Sequence, residues 1–242
     1  MLRALIWDVD GTVAETERDG HLIAFNQAFE QKGLRWRWEA VHYGALLQVT
    51  GGRERLLHDM ATRPDAPAGA AEREALAREL HRIKNAAYAD LVARGDITPR
   101  PGVLRLVEEC RAAGVALAVA TTTSRSNVDA LFGSIWGAAW PGLFTTVVCA
   151  EDAPLKKPHP QAYRLVLQRL GVAAGEAFAL EDSPNGVQAA VAAGLACGVT
   201  RSACFADAHF AGAAWVRDDL ESPPPMTLEA LHAALAGNMP AS

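Results

Sequence analysis

Two aspartates stand two positions apart at the end of an apolar run near the start of the chain. Leu5, Ile6 and Trp7 are apolar, and Asp8 and Asp10 follow them. Carboxylates this close repel each other and lose hydration where the run is buried. A divalent cation and a lysine would neutralise both charges, so we predict a cation site at this position.

Further polar side chains follow three later apolar runs. Residues 121–124 (TTTS) follow VALAVA, Lys157 stands in the loop after TTVVCA, and Glu181 and Asp182 follow AFAL. In a doubly wound sheet, ligands bind beyond the carboxyl ends of the strands. We therefore expect these groups to converge with the two aspartates on one crevice.

These residue types suit phosphoryl transfer. A carboxylate such as Asp8 can act as a nucleophile and form an acyl-phosphate. The carboxyl of Asp10 can shuttle a proton, provided that it stays off the metal. Thr121 and Lys157 can hold phosphoryl oxygens and balance their charge. Gly11 would let the backbone pass close to the phosphate.

Helical patterns and short apolar runs alternate from Pro101 onward. We place Pro101 in the first turn of a helix that ends near Gly114. This alternation predicts a parallel sheet with right-handed crossovers. The predicted strands are residues 3–7, which should lie centrally, and 115–120, 145–150, 177–180, 196–200 and 213–216.

The segment from residue 16 to residue 94 shows only helical patterns, beginning with a helix over residues 17–31. An apolar stripe marks a second, long helix: Leu76, Leu80, Ile83, Ala87 and Leu91. We therefore predict an α/β fold with a Rossmann-like, doubly wound parallel sheet. Its core comprises residues 1–15 and 95–242, and an all-helical cap domain (the cap, residues 16–94) is inserted into it.

Bulk composition excludes several classes of protein. The 242 residues carry a formal net charge of -5, whereas nucleic-acid binders usually have a basic surplus. The four cysteines form no C-x-x-C pair, which argues against a zinc or redox motif. The chain begins without a signal-peptide pattern, and no apolar run approaches the ~20 residues that span a bilayer. We expect a cytoplasmic protein with no membrane, nucleic-acid or evident protein partner.

Four motifs, taken in order, resemble those of the haloacid-dehalogenase-like phosphatase superfamily. They are Asp8-Val-Asp10-Gly-Thr12, Thr121, Lys157-Pro158 and Glu181-Asp182-Ser183. The resemblance covers residues 1–14 and about 95–220. Four further segments are similar to the β-phosphoglucomutase-like branch: ETE (15–17), TGGRER (50–55), PRPGV (99–103) and LEDSPNG (180–186). Within that branch, Glu17, the GGRER loop and Lys84-Asn85 resemble the CbbY-type xylulose-1,5-bisphosphate phosphatases.

The resemblance implies a Mg²⁺-dependent sugar-phosphate phosphatase with a four-helix cap. It makes Asp8 the nucleophile of an aspartyl-phosphate mechanism and Asp10 the acid and base. Mg²⁺ would bind Asp8, the Asp10 backbone carbonyl and Asp182. Glu181 either positions a metal-bound water or caps a helix. The implied substrate is xylulose-1,5-bisphosphate, an inhibitor of Rubisco in the Calvin cycle.

The cap is expected to recognise the substrate. Arg53, Arg55 and Lys84 are candidates for binding a second phosphate, since guanidinium groups bind phosphate bidentately. The alternative for each of the three is an exposed surface charge. Glu17 is a candidate for binding sugar hydroxyls, and His21 is a further cap candidate. The predicted substrate-binding residues are Glu17, His42, Tyr43, Thr50, Gly51, Gly52, Arg53, Arg55, Lys84, Thr122 and Thr123.

Three alternatives remain open from the sequence. A phosphomutase would return the phosphoryl group to a sugar, and a phosphoglycolate phosphatase would differ only in substrate. A receiver-like signalling domain also uses Asp, Thr and Lys on a similar sheet. It has no helical insert, however, and no second acid two residues beyond its phosphorylated aspartate.

Overall fold

A computed structural model describes residues 1–237, and residues 238–242 of the predicted core lie outside that range. Within it, six parallel strands form one sheet in the order β3-β2-β1-β4-β5-β6. The strands are β1 (Ala4–Trp7), β2 (Ala116–Ala120), β3 (Thr146–Val148), β4 (Ala177–Glu181), β5 (Ala196–Thr200) and β6 (Trp215–Arg217). The predicted central strand is confirmed, because β1 pairs with both β2 and β4.

Helices cover both faces of the sheet and form the insert. They are α1 (Leu22–Gln31), α2 (Ala40–Leu46), α3 (Gly52–Met60), α4 (Ala70–Ala93), α5 (Val103–Ala112), α6 (Arg125–Trp136), α7 (Gln161–Leu170), α8 (Pro184–Ala192) and α9 (Leu228–Leu235). Across residues 1–237, no helix combines the length and the apolar character needed to cross a membrane.

The central strand shows why the sheet is covered on both sides. Leu5 and Trp7 point into a cluster that includes α5, α6 and α9, whereas Ala4 and Ile6 point into a cluster that includes α7 and α8. Successive side chains of a strand face opposite sides, so a strand buried on both faces is a continuous apolar run. The doubly wound arrangement predicted from such runs is confirmed.

Helices α1–α4 occupy the predicted insert between β1 and α5. Aromatic rings fill its own core, where Phe25 and Phe29 pack against Trp38 at centroid distances of 4.7 and 5.1 Å. The last turns of α4, with Tyr88 and Leu91, instead join the hydrophobic cluster of the sheet. The predicted fold class is therefore confirmed, while the domain boundary at residues 94 and 95 stays a prediction.

Two helix starts differ from the prediction. Residues Glu17–His21 form a π-helical turn before α1 rather than the first turn of an α-helix. Pro101 lies before α5, because Gly102 has a φ of +82° and the helix begins only after it. A Cβ on Gly102 would lie 2.6 Å from the carbonyl carbon of Leu220, so close packing also requires glycine there.

Candidate active site

Asp8 lies at the end of β1 with only 6% of its surface exposed. Lys157 Nζ donates hydrogen bonds to Asp8 Oδ1 at 2.7 Å and to Glu181 Oε1 at 2.6 Å. The hydroxyl of Tyr163 donates to the same Glu181 oxygen at 2.5 Å. Buried charges are tolerated when they are paired and hydrogen-bonded. Glu181 thus holds the lysine ammonium beside Asp8.

Asp182 follows β4 and lies directly beneath the turn after β1. Ser202 Oγ donates a hydrogen bond of 2.6 Å to Asp182 Oδ2. Gly11 has a φ of +82°, and a Cβ added to it would lie only 2.0 Å from that carboxylate oxygen. A glycine at position 11 therefore lets the Asp8 loop pack against Asp182.

The carboxylates of this site carry more negative charge than the protein neutralises. Burial raises the pKa of Asp8 to about 8; Lys157 opposes the rise and the charge of Glu181 adds to it. Burial, followed by repulsion from Asp8 and Glu181, raises the pKa of Asp182 well above its usual range. A cation placed among these groups would relieve both effects.

The donor set fits Mg²⁺. Asp8, Glu181 and Asp182 each offer an oxygen within 4.8 Å of the others, and hard carboxylate oxygens are the ligands that Mg²⁺ prefers. Glu181 Oε1 already accepts two hydrogen bonds. Asp8 and Asp182 are consequently the better side-chain ligands, and Glu181 is better suited to positioning Lys157.

The side chain of Asp10 lies outside this cluster of three carboxylates and has its own hydrogen-bond donors. Thr16 Oγ1 donates to Asp10 Oδ1 at 2.6 Å, and His21 Nε2 lies 2.9 Å from the same oxygen. Burial acts to raise the pKa of Asp10, but His21, Thr16 and the positive charge of Lys84 together hold it well below its usual range. A carboxyl free of the metal cluster is what a proton-transferring role requires.

The threonines after β2 reach the same edge of the sheet. Thr121 is buried, and its Oγ1 accepts a hydrogen bond of 3.2 Å from the backbone N–H of Thr123. Thr122 and Thr123 line a cavity next to the N-terminus of α6, and Ser124 is the residue directly before that helix. Backbone N–H groups and the helix dipole favour anions at such an end.

A cavity of about 410 Å³ separates the sheet edge from the cap. Its walls include Asp10 and Thr122 from the core and Glu17, Arg55 and Lys84 from the cap. A smaller cavity of about 50 Å³ shares Asp10, Glu17, Arg55 and Thr122 and adds four of the strand-end residues: Asp8, Thr121, Lys157 and Asp182. A ligand in the larger space can therefore reach the carboxylates.

Lys84 supplies a buried positive charge to this cavity. Only 3% of it is exposed, and its Nζ lies 5.3 and 5.1 Å from the ring centres of Phe25 and Tyr88. Its hydrogen bond to Asn85 Oδ1 is long, at 3.5 Å. Burial lowers the pKa of Lys84 to about 8. An ammonium in such surroundings is suited to binding an anion.

The two predicted arginines have different surroundings. Arg55 is buried and donates to the hydroxyl of Tyr43 at 2.8 Å, while Glu17 Oε2 lies 3.8 Å away. Tyr43 in turn donates a short hydrogen bond to Glu17. Arg53 is half-exposed at the cavity wall and contacts two glutamates. Of the two, Arg53 is the one whose guanidinium reaches solvent.

Comparison with known proteins identifies the family. A profile of haloacid dehalogenase-like hydrolases matches residues 2–194. The chain belongs to the haloacid dehalogenase-like hydrolase family. The plasmid-encoded CbbY protein of Cupriavidus necator is 44% identical to it over 223 residues, which cover 92% of this chain and 87% of that protein.

Two crystal structures of the CbbY protein from Rhodobacter sphaeroides share this fold, each with a TM-score of 0.87 and 37% identity. One is a complex with phosphate, and the match covers 98% of this chain and 100% of the relative's chain. The other is a mutant in complex with xylulose-(1,5)bisphosphate, and the match covers 93% of this chain and 98% of the relative's chain. The predicted resemblance to CbbY-type proteins is confirmed, and the chain is a phosphatase of the haloacid dehalogenase type.

The structure brings most of the predicted residues of this phosphatase to the two cavities. Two predicted substrate-binding residues lie elsewhere: His42 contacts Asp59, with 2.9 Å between Nε2 and Oδ1, and Tyr43 lies behind Glu17. Neither lines either of these two cavities. Thr50 does line one, but its hydroxyl donates a hydrogen bond of 2.5 Å to the backbone carbonyl of Lys157. The substrate roles of all three stay predictions.

Sequence reasoning missed several polar residues of the site. Thr16 and Ser202 bind the carboxylates of Asp10 and Asp182, and no motif marks them. His21, the further cap candidate, lines the larger cavity, and its contact with Asp10 was not foreseen. His81 lines the larger cavity, and burial followed by the charge of Lys84 lowers its pKa to about 4, which leaves it neutral. The one available signal was position: His81 precedes Lys84 by a single helical turn.

Proposed function

We propose that the protein is a Mg²⁺-dependent sugar-phosphate phosphatase that acts through a phosphorylated Asp8, with xylulose-1,5-bisphosphate as its substrate. The observation that carries the proposal is the pair of neighbouring carboxylates in different surroundings. Asp8 lies against Lys157 and beside Asp182, whereas Asp10 has separate donors. Two carboxyl groups whose environments separate their pKa values can take different roles in one reaction.

In the first step, Asp8 attacks phosphorus in line, and the bond from phosphorus to the sugar oxygen breaks. Asp10 gives its proton to the departing oxygen. In the second step, Asp10 takes a proton from a water molecule that attacks the aspartyl-phosphate, so that free phosphate leaves and Asp8 is regenerated. Dividing the reaction in this way replaces one difficult displacement by two easier ones.

The surroundings of Asp10 suit both of its roles. Its low pKa favours the ionised form that acts as a base in the second step. A substrate phosphate bound nearby would repel that charge and favour the protonated form that the first step requires. The same side chain then acts as acid and base in turn, as microscopic reversibility demands.

Charge balance around the phosphoryl group comes from residues of the core. Lys157 offers an ammonium and Thr121 a hydroxyl to the transferring oxygens. Asp8 and Asp182, with the backbone carbonyl of Asp10, would hold Mg²⁺. When bound, Mg²⁺ supplies positive charge that reduces the repulsion between Asp8 and the phosphate.

The cavity supports a substrate with two phosphates. Lys84 and Arg53 lie on the cap side of the cavity, away from the positive charge that Lys157 supplies at Asp8. The volume of about 410 Å³ accommodates a small sugar phosphate. The bound xylulose-(1,5)bisphosphate in the Rhodobacter sphaeroides relative supports this choice of sugar. Glu17 is the candidate acceptor for sugar hydroxyls, because Tyr43 and Arg55 fix its carboxylate.

Phosphate release across a panel of sugar monophosphates and bisphosphates tests the proposal. We expect xylulose-1,5-bisphosphate to give the highest kcat/KM, with one phosphate released per substrate consumed. Activity should disappear with a chelator and return with Mg²⁺. Isomerised sugar phosphate without free phosphate would show a phosphomutase instead. Preference for phosphoglycolate would overturn the choice of substrate, and a stable phospho-Asp8 without turnover would indicate a receiver-like function.

A further inference from the structure

Arg100 lies where the chain returns from the cap to the core, and its side chain is almost fully buried. Both terminal nitrogens donate hydrogen bonds to backbone carbonyls: Nη2 at 2.5 and 2.6 Å, and Nη1 at 3.1 Å with a further short contact. The four carbonyls belong to Gly11 in the loop after β1, to Thr200 and Arg201 at the end of β5, and to Asp218 directly after β6. One guanidinium thus joins three loops at the carboxyl edge of the sheet.

An ion pair with Glu15 accounts for only part of this arrangement. The nearest carboxylate to Arg100 in residues 1–237 is that of Glu15, at 3.6 Å, and Glu15 itself is half-buried. A buried guanidinium is instead satisfied by backbone oxygens, which would lack these donors if the side chain were shortened. What Arg100 fixes is therefore the relative position of the loops.

Two of those loops meet at Asp182. The loop after β5 continues from Arg201 into Ser202, whose hydroxyl donates to Asp182 Oδ2 at 2.6 Å. The loop after β1 brings Gly11 against the same oxygen, where there is no room for a side chain. Ser202 and Asp182 are each only 2% exposed, so water cannot readily replace this contact.

We propose that Arg100 and Ser202 are positioning residues for Asp182: Arg100 holds the loop after β5 against the loop after β1, and Ser202 orients the carboxylate. This inference rests on the proposed function, in which Asp182 binds Mg²⁺. Hydrogen bonds that orient a ligating carboxylate contribute to metal affinity without touching the metal. Neither residue touches the substrate cavities.

The geometry requires an arginine. A guanidinium presents five donors in a rigid plane and can reach four carbonyls on different loops. A lysine ammonium donates from a single atom and cannot span them. Arg100→Lys thus keeps the charge but breaks the connection between the loops, while Ser202→Ala removes only the hydroxyl.

The test is Mg²⁺ binding to the metal-free full-length protein, measured by isothermal titration calorimetry, with the thermal midpoint of each metal-free variant recorded alongside. Arg105→Met is the matched control. Arg105 also donates to two backbone carbonyls, those of Leu220 and Met226, but it lies away from Asp182.

We expect Ser202→Ala and Arg100→Lys to raise the Kd for Mg²⁺ by roughly 10- to 100-fold, the usual effect of losing an outer hydrogen bond at a metal site. Arg105→Met should leave the Kd unchanged. An unchanged Kd in Ser202→Ala, or an equal rise in Arg105→Met, overturns the inference. If Arg100→Lys does not fold, Arg100 has a structural role only and its part of the inference is wrong. Wild-type protein that binds no Mg²⁺ would instead overturn the proposed function.

Discussion

Asp8 and Asp10 carry the same carboxyl group two residues apart, and their surroundings make them chemically different. Burial raises the pKa of Asp8, with Lys157 opposing the rise. Burial acts in the same direction on Asp10, but His21 and Thr16 outweigh it and lower the pKa. The difference arises because Asp8 shares its pocket with other carboxylates, whereas Asp10 faces donors from the start of the cap.

Asp8→Asn should abolish phosphate release. An amide cannot form an acyl-phosphate, and it is a poor ligand for a hard cation. Steady-state release of phosphate from xylulose-1,5-bisphosphate measures the loss. Turnover close to that of the wild type would rule out Asp8 as the nucleophile.

Asp10→Asn provides the comparison, because its side chain lies outside the carboxylate cluster. We expect turnover to fall by roughly 100- to 10,000-fold, the usual contribution of a general acid or base. Mg²⁺ binding should stay within about threefold of the wild type, since the proposed ligand is a backbone carbonyl. A large loss of Mg²⁺ affinity would show that the Asp10 carboxylate itself binds the metal.

At the scale of single residues, the sequence identifies groups that follow a strand directly. Asp8, Thr121 and Asp182 each follow an apolar run, so their convergence at one sheet edge could be predicted. Their partners Thr16 and Ser202 could not. Each reaches its carboxylate through a loop or a π-helical turn, and no periodicity in the sequence encodes those conformations.

At the scale of elements, α4 contributes three polar side chains to the larger cavity, those of Arg78, His81 and Lys84. Its predicted apolar stripe is confirmed in part, because Leu80, Ala87 and Leu91 are buried. Lys84 lies four residues after Leu80 and is buried with the apolar stripe. Its burial could not be predicted, because a charged side chain usually marks the exposed face of a helix. His81 and Lys84 face the cavity from adjacent turns. The helix thus carries both packing and binding residues.

The buried ammonium of Lys84 should give the bisphosphate reaction an alkaline limb. The pKa of Lys84 is about 8 in the free protein, so the charge is present below that pH and is lost above it. Because kcat/KM reports groups of the free enzyme, its value for xylulose-1,5-bisphosphate should fall toward roughly tenfold per pH unit above the pKa. The pH profile of kcat/KM from pH 6 to 10 measures this.

Two variants separate Lys84 from other titrating groups. Lys84→Arg keeps its charge over the whole range and should remove the alkaline limb. Lys84→Met should lower kcat/KM at pH 7 without a limb near pH 8. An unchanged limb in both variants would assign the titration to another residue.

Arg53→Ala should reduce kcat/KM for the bisphosphate by roughly 10-fold. A charge-assisted contact to phosphate contributes about 1.5–3 kcal/mol, and the half-exposed position of Arg53 places it at the low end. A small monophosphate that does not reach the cap should be nearly unaffected. The comparison needs both substrates, with Arg82→Ala as the control, since Arg82 is exposed on α4. Equal losses on both substrates would show that Arg53 acts on folding or on the core.

Elements were easier to predict than their ends. Strand β5 begins and ends where the predicted apolar run does, at residues 196 and 200. Helix α5 starts later than predicted, because Gly102 has a left-handed conformation and packs closely against Leu220 in a distant loop. Local patterns contain no information on such a contact. Element type therefore follows from periodicity, and element ends follow from tertiary packing.

At the scale of the whole molecule, several polar contacts join the cap to the core, and three of them involve residues that line the two cavities. Thr50 donates to the backbone carbonyl of Lys157, and Asn85 Nδ2 donates to Ser124 Oγ at 2.9 Å. Asn185 Nδ2, on the core side, donates to the backbone carbonyl of Gln48 at 3.2 Å. Together they enclose the cavity on the side of the sheet edge. Closure of this kind excludes water from the phosphoryl centre.

The presence of the cap could be predicted from helical periodicity, and its place in the chain from the first motif. Its orientation could not. The contact between Asn85 and Ser124 joins residues 39 positions apart, and that between Thr50 and Lys157 joins residues 107 apart. Which side chains meet at such separations depends on the whole fold, because no local pattern specifies the pairing.

The double variant Asn85→Ala/Asn185→Ala should loosen the cap without unfolding the protein. Two hydrogen bonds of this kind contribute about 2 kcal/mol together, which shifts an open–closed equilibrium by roughly 30-fold. The radius of gyration from small-angle scattering should rise, and kcat/KM should fall by up to that factor. The thermal midpoint should change little, because each unit keeps its own hydrophobic cluster. Lys32→Met, which removes a 2.9 Å contact with Glu79 inside the cap, should change neither scattering nor kcat/KM. Unchanged scattering and kcat/KM in the double variant would show that apolar packing along α4, rather than these polar contacts, holds the cap closed.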